Sequence, residues 1–428
     1  MTEQEIAGLG PAFATYLGRY RRCFLQKRTA GHFDTYCRGL LSELPRKSVE
    51  PIALQAGTAV RTLQEFLVAA RWDHHQARDL LQRHLAEAVA TLPADPRGTV
   101  GIIDETSCQK WGDRTPGVQR QYLGCLGKVD NGIVTVHIGL ARGRFQALLD
   151  ADLYLPRSWD ADRPRCRAAG VPDDVRYRPK WRIALDQLTR LSANGVTFDW
   201  LAFDEGYGAA VPLLKVWSLA GQRFVAEVPV NFAVADVEAG PTRRADRRLS
   251  AARARSGRRY RLAHRTVADS VWRAASAVVW AAGRLHLLVV AINEATAEVK
   301  YFLSNAPSVP LARLLAVAFC RWGVEHSLRV GKQEAGLMHY EGRDYTGLMR
   351  HLIVALVVLG FVAAHTERLR GEKSAGDGGA SMSGAQPAVR GGVPASPGGS
   401  RAAARQRSHS IPPAAKRTGD KVPQEKAA

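Results

Sequence analysis

Two short apolar runs end in aspartate, and placing an acid on a buried face is the tightest constraint in this sequence. In TVGIIDE, Val100, Ile102 and Asp104 share one face of a strand; in FDWLAFDE, Phe198, Trp200, Ala202 and Asp204 do the same. A carboxylate on the buried face at a strand's C-terminal end is costly unless a partner or a metal neutralises it. The stretch FCRWGVEHSLRVGKQE, residues 319–334, supplies a third acid. At the α-helical advance of about 100° per residue, Arg321, Glu325 and Lys332 fall within about 40° of one another on one helix face. Taken alone, that face is a solvated, ion-paired helix, with Glu325 and Arg329 also spaced i,i+4. Taken with the two strand-end aspartates, it points to a cation site.

The chain has 428 residues, long enough for one large core or two or three ordinary ones. Its net charge of +20 favours a polyanionic partner, nucleic acid ahead of an anionic membrane surface. Residues 371–428 hold nine basic against four acidic residues, so an excess of fifteen positive charges belongs to the rest. Six cysteines without a C-x-x-C pair indicate neither a disulfide framework nor a structural zinc site, and fit a reducing cytosol. The N-terminus carries no basic-then-apolar signal. The longest apolar run, residues 352–364, is short of the roughly 18 to 20 residues of a spanning helix and reads as a buried one.

Residues 1–95 read as a helical domain. Val60, Leu63, Leu67 and Ala70 recur at helical spacing, as do Leu81, Leu85, Val89 and Leu92 after Asp73, a helix cap. Arg19, Arg21, Arg22, Lys27 and Arg28 form an early basic cluster suited to phosphate or to plain solvent. His74 and His75 are adjacent, so on a helix their rings diverge. From Thr99 the period becomes that of strands, at 99–105, 132–141 and 145–155, with a turn at Asp130-Asn131; a helix at 180–191, a strand ending at Asp204, a helix at 209–220 and a strand at 223–228 follow. That order argues for a mixed sheet covered by helices, over 96–230 and again over 298–370. Between them, 231–297 reads as a β-rich insertion, with ten arginines against one acid between Thr242 and Val267. The helix beginning at Leu311 carries Arg321, Glu325 and Lys332, and a mostly apolar helix spans 347–367. Residues 371–428 are rich in Gly, Ala, Ser and Pro and read as a disordered basic tail.

An aspartate ending the first strand, an aspartate ending a later one and a glutamate on a helix beyond a β insertion resemble the bacterial insertion-sequence transposases of the DDE type. The resemblance covers about residues 10–367 and includes the phrases IIDETSCQKWG, QRQYLG, AFDEGYG and HYEGRDY. One branch of that group carries a Tyr-x2-Arg-x3-Glu-x6-Lys signature. Arg321, Glu325 and Lys332 match its last three positions, whereas the tyrosine position is Ala318.

The resemblance implies an α/β, RNase H-like fold and cut-and-paste transposition. It assigns Asp104, Asp204 and Glu325 to divalent metal, two Mg²⁺ with Mn²⁺ as substitute, a choice that hard oxygen ligands suit. Arg321 and Lys332, with Arg329, are placed to hold DNA phosphate. Partners are double-stranded DNA, as terminal inverted repeats and target, and further copies of the chain; no membrane is involved, and the setting is the bacterial cytosol and nucleoid. Glu105 and Glu205 alternate to the opposite face and Glu334 lies across the helix, so these read as structural. Tyr207, Trp322, His326 and Tyr340 are candidates for stacking on an unpaired base, with core packing as the plain alternative. Competing readings are a non-catalytic DNA-binding regulator derived from a transposase, and a nuclease that cuts without joining.

Overall fold

In the computed structural model, residues 3–262 and 269–376 are described. Five helices open the chain: α1 (Glu3–Gly18), α2 (Lys27–Leu41), α3 (Val49–Gln55), α4 (Val60–Val68) and α5 (His74–Ala90). Strands β1 (Val100–Gln109), β2 (Gln119–Leu123), β3 (Lys128–Arg142) and β4 (Phe145–Leu153) follow, then helices α6 (Arg157–Asp160), α7 (Arg163–Ala168) and α8 (Lys180–Ala193). Next come β5 (Trp200–Phe203), α9 (Glu205–Gly208), α10 (Val211–Leu219) and β6 (Phe224–Val228). The basic insertion holds β7 (Ala233–Val234), β8 (Arg243–Arg244), α11 (Ala245–Arg248), α12 (Ala251–Arg255), β9 (Arg258–Leu262), β10 (Ser270–Ala281) and β11 (Arg284–Asn293). The chain then continues with β12 (Val299–Ser304), α13 (Leu311–Phe319), α14 (Trp322–Glu334) and α15 (Tyr345–Gly376).

The central sheet runs β4-β3-β1-β5-β6, antiparallel across its first three strands and parallel from β1 to β5 to β6. This is the mixed sheet that the strand and helix order leads one to expect, and it is consistent with the RNase H-like fold that the resemblance implies. From β6 it continues antiparallel through β12, β11, β10 and β9, so the insertion's long strands extend the same sheet. β1 is an interior strand, hydrogen-bonded on both edges, and its first half is apolar on both faces because helices cover both sides of the sheet. Consecutive strand residues face opposite ways. Asp104 meets Arg321 at the start of α14 and Glu105 meets Lys180 on α8, so these helices cover opposite faces. Gly139 on β3 lets α14 sit close: a Cβ there would lie 2.3 Å from the Val324 side chain.

Helix α15 is the spine against which the helical N-terminus and the sheet both pack. Tyr16 donates to Val357 O at 2.9 Å, and the Tyr36 hydroxyl and His351 Nδ1 lie 2.9 Å apart. Arg350 donates to Leu67 O at 2.9 Å and Trp72 O at 2.6 Å while lying over the Trp72 ring. Tyr345–Arg370 is long and apolar enough to cross a membrane, but 78% of its apolar window is buried inside the protein, the state of a core helix.

The structure departs from the sequence reading in several places. Asp130 and Asn131 lie inside β3, not in a turn, because β2, a polar strand without a clear apolar period, pairs with Lys128–Gly132. The helix expected to run unbroken from Leu311 is two, α13 and α14, with Cys320 and Arg321 between them. Asp104 is in the middle of β1 rather than at its end. The backbone of α15 runs to Gly376, into the segment expected to be disordered; the rest of that segment, 377–428, and Arg265 in the insertion lie outside the described residues.

Candidate active site

The register of β1 against β5 brings the two aspartates side by side. Parallel pairing runs from Val100↔Trp200 to Ile103↔Phe203, so Asp104 and Asp204 are each the residue after the last pair on neighbouring strands. Asp104 stays in the β1/β3 ladder opposite His137. Asp204 leaves its strand and caps α9, its Oδ1 accepting from Tyr207 N at 3.2 Å. Glu325 is in the first turn of α14 and shares a cleft with Asp104.

Asp104 is 6% exposed. Its Oδ1 accepts from Glu105 N at 2.8 Å, while its Oδ2 has no hydrogen-bond partner among the described residues. Burial pushes this carboxyl up to about 7; Arg321 pulls it down, and Asp204 and then Glu325 push it up again. Asp104 therefore lies within electrostatic reach of both other acids. Oxygen donors of this kind suit a hard divalent cation, although the ligand atoms of the three acids do not all lie within 4.8 Å of one another, as those of Asp73, His74 and His75 do among the described residues.

Arg321 occupies the middle of this cluster. Its Nη1 is 2.7 Å from Glu325 Oε1 and 3.5 Å from Asp104 Oδ2, and its Nη2 is 4.0 Å from Glu227 Oε2. Lys332 lines a cleft of about 340 Å³ together with Asp104, Thr106, Ser107, Cys125 and Glu325. Asp204 opens instead on a neighbouring cleft of about 300 Å³ with Tyr154, Tyr177, Lys180, Trp181 and Tyr207. Glu105 lines both clefts, and its carboxylate is held by Lys180 Nζ at 2.8 Å.

The remaining candidates are dispersed. Arg329 is exposed and lies 2.9 Å from His326 Nδ1, so the i,i+4 partner of Glu325 in the structure is Arg321. Glu205 and Glu334 are exposed. Of the four aromatic candidates, Tyr207 shares a cleft with Asp204, buried with an unpartnered hydroxyl among the described residues. Tyr340 is buried and donates to Asp344 O at 3.1 Å, Trp322 packs edge-on against Phe319, and His326 lines a groove between β4 and α15. The His74 and His75 rings do not diverge: their centroids are 4.1 Å apart, with Asp73 close enough that all three could offer ligand atoms. Arg78 and Arg350 beside these rings oppose a cation there.

Glu227 on β6 was not singled out from the sequence. It bonds Lys300 Nζ at 2.6 Å and faces Arg321. The signal was available, since FVAEV is an apolar strand interrupted by one acid, next in the sheet to the strand that precedes Asp204.

Comparison with known sequences adds an independent line. The family described as DDE superfamily endonuclease matches residues 19–286. A probable transposase for insertion sequence element IS701 from Microchaete diplosiphon is 31% identical over 225 residues, which cover 51% of this chain. The chain spans about half the length of that relative, 52%.

Proposed function

The chain belongs to the DDE superfamily of endonucleases, and from that premise we propose that it is a transposase that cuts double-stranded DNA at the ends of an insertion sequence and joins the freed 3′ ends to target DNA. The observation that carries the reading is the buried Asp104 Oδ2, left without a hydrogen bond within electrostatic reach of Asp204 and Glu325. Asp104, Asp204 and Glu325 would hold divalent metal, Mg²⁺ with Mn²⁺ as substitute. When bound, such ions activate the attacking oxygen and neutralise the leaving one in phosphoryl transfer.

The chain's own residues do the positioning. β1 and β5 fix the two aspartates through backbone pairing, and α14 brings Glu325 across a glycine contact. Lys332 lines the cleft as a point charge for a phosphate, and Arg321 offers a two-pronged one. The helical region 1–95 and the arginine-rich insertion 231–297 are proposed as further DNA contacts, the core over 96–230 and 298–370 as the catalytic unit, and paired copies of the chain in the bacterial cytosol as the working form.

The test is supercoiled DNA carrying the element ends, incubated with Mg²⁺ or Mn²⁺ and again with EDTA. Wild type is expected to nick and join only with metal, and Asp104→Ala, Asp204→Ala and Glu325→Ala to do neither while still binding DNA. Retained cutting in any of the three removes that acid from the set. Cutting that never yields joined ends makes the protein a nuclease without strand transfer.

A further inference from the structure

We propose that Arg321 is the resident counter-ion of the acidic site and competes with divalent metal for it, so that loading the metal and releasing the guanidinium are one event. This rests on the reading of Asp104, Asp204 and Glu325 as metal ligands.

One planar group with a side chain 14% exposed touches carboxylates from three elements: Glu325 on α14 at 2.7 Å, Asp104 on β1 at 3.5 Å and Glu227 on β6 at 4.0 Å. These contacts are unequal. The Glu325 contact is a close ion pair, whereas the Asp104 contact leaves Oδ2 without a hydrogen bond. Glu227 is already matched by Lys300 at 2.6 Å, so the charges that Arg321 alone answers are those of two acids assigned to the metal. A cation bridging Asp104 and Glu325 would share its ligands with a guanidinium a few ångströms away, and like charges at that range in a buried site repel strongly.

The surroundings give the side chain somewhere to go. Arg321 sits at the junction of α13 and α14, outside both, and its two ion-pair partners, Glu325 and Asp104, line the open cleft with Lys332. A DNA phosphate in that cleft offers the displaced fork a bidentate partner. Because coupling is reciprocal, a phosphate that captures Arg321 also tightens metal binding, so the site prefers to charge with metal when DNA is present.

The experiment is calorimetric titration of Mn²⁺ into the full-length chain, stripped with EDTA and free of DNA, for wild type, Arg321→Gln, Arg321→Lys and Asp104→Asn. Removing the competing cation is expected to tighten Mn²⁺ binding by roughly tenfold or more in Arg321→Gln, with Arg321→Lys between it and wild type, and to weaken it in Asp104→Asn. Arg321→Gln should also melt below wild type in EDTA and gain more from Mn²⁺. Should Arg321→Gln fail to fold without metal, Arg321→Lys decides, since a lone ammonium cannot span both carboxylates. Equal or weaker Mn²⁺ binding in the arginine variants, with Asp104→Asn still weakened, overturns the competition alone. Mn²⁺ binding indifferent to Asp104→Asn overturns the ligand assignment, and the competition with it.

Discussion

Two aspartates buried in the same sheet, with β3 between their strands, are treated in opposite ways. Asp150 on β4 is fully buried and fully answered: Oδ1 accepts from Ala151 N at 2.8 Å, and Oδ2 accepts from Gln82 Nε2 at 3.1 Å and from Arg190 Nε at 3.2 Å and Nη2 at 3.0 Å. Arg190 also holds Asp152 at 2.7 Å, so the network ties α5, β4 and α8 together. Asp104 on β1 keeps one oxygen without a hydrogen bond among the described residues, at the edge of a cleft and with only the loose ion pair to Arg321 at 3.5 Å. Burial alone therefore does not mark a working acid. The informative feature is burial without satisfaction, because a carboxylate desolvated and left incomplete costs stability that only a function explains.

The sharpest way to break this contrast is to remove each charge in turn. Asp150→Asn leaves Arg190 paired with Asp152 but breaks a buried hydrogen-bond network, because an amide nitrogen replaces one of the oxygens that accept from Ala151, Gln82 and Arg190, at a cost of roughly 1–3 kcal/mol. Urea denaturation should find that loss, with strand cleavage falling only as the folded fraction falls. Asp104→Asn should do the reverse, taking metal-dependent cleavage to background while stability in EDTA stays level or rises. Equal destabilisation by the two substitutions would make Asp104 an ordinary structural acid.

A second test is the pH dependence of stability in EDTA. Burial holds Asp104 near 7 in the folded chain, with Arg321 opposing and Asp204 and Glu325 adding to the rise. The unfolded carboxyl titrates near its ordinary value of about 3.9. Between those values the folded state binds more protons than the unfolded one, so stability falls as pH rises through this window, by roughly 4 kcal/mol as an upper bound. Asp104→Asn lacks this slope, so its melting temperature should pull ahead of wild type between about pH 4 and pH 7 and stay ahead above it. Parallel melting curves across that range would show that Arg321 already neutralises the carboxylate.

The contrast also separates what the sequence could tell from what it could not. Alternation placed Asp104 and Asp204 on buried faces because each follows a run of apolar residues at strand period. It could not show that Ile103↔Phe203 is the last parallel pair, which sets the aspartates side by side. Helical spacing put Arg321, Glu325 and Lys332 on one face, yet the break before α14 was hidden because Arg321 itself has helical angles, φ −53° and ψ −37°. One acid in the apolar strand FVAEV marks Glu227 locally, but its pairing with Lys300 joins β6 to β12 across the whole insertion, a non-local contact that no local pattern reveals. The apolar run in α15 announced a buried helix, but only the fold reveals that the N-terminal helices complete its burial.

The smallest expected effect concerns the positive charges around the unsatisfied acid. Lys332 lines the cleft with Asp104 and Glu325, whereas Arg329, one turn earlier on the same helix, turns to His326. If the cleft receives DNA, Lys332 neutralises a phosphate and Arg329 does so less. Lys332→Ala should then weaken DNA binding evenly across sequences and reduce the slope of log affinity against log salt by about 1. Arg329→Ala should change that slope less, and fluorescence anisotropy across a salt series reads both. Equal slopes for the two variants would mean that the DNA runs along the exposed face of α14 instead of entering the cleft. In that case Asp104 would be unsatisfied for a reason other than the approach of a phosphate.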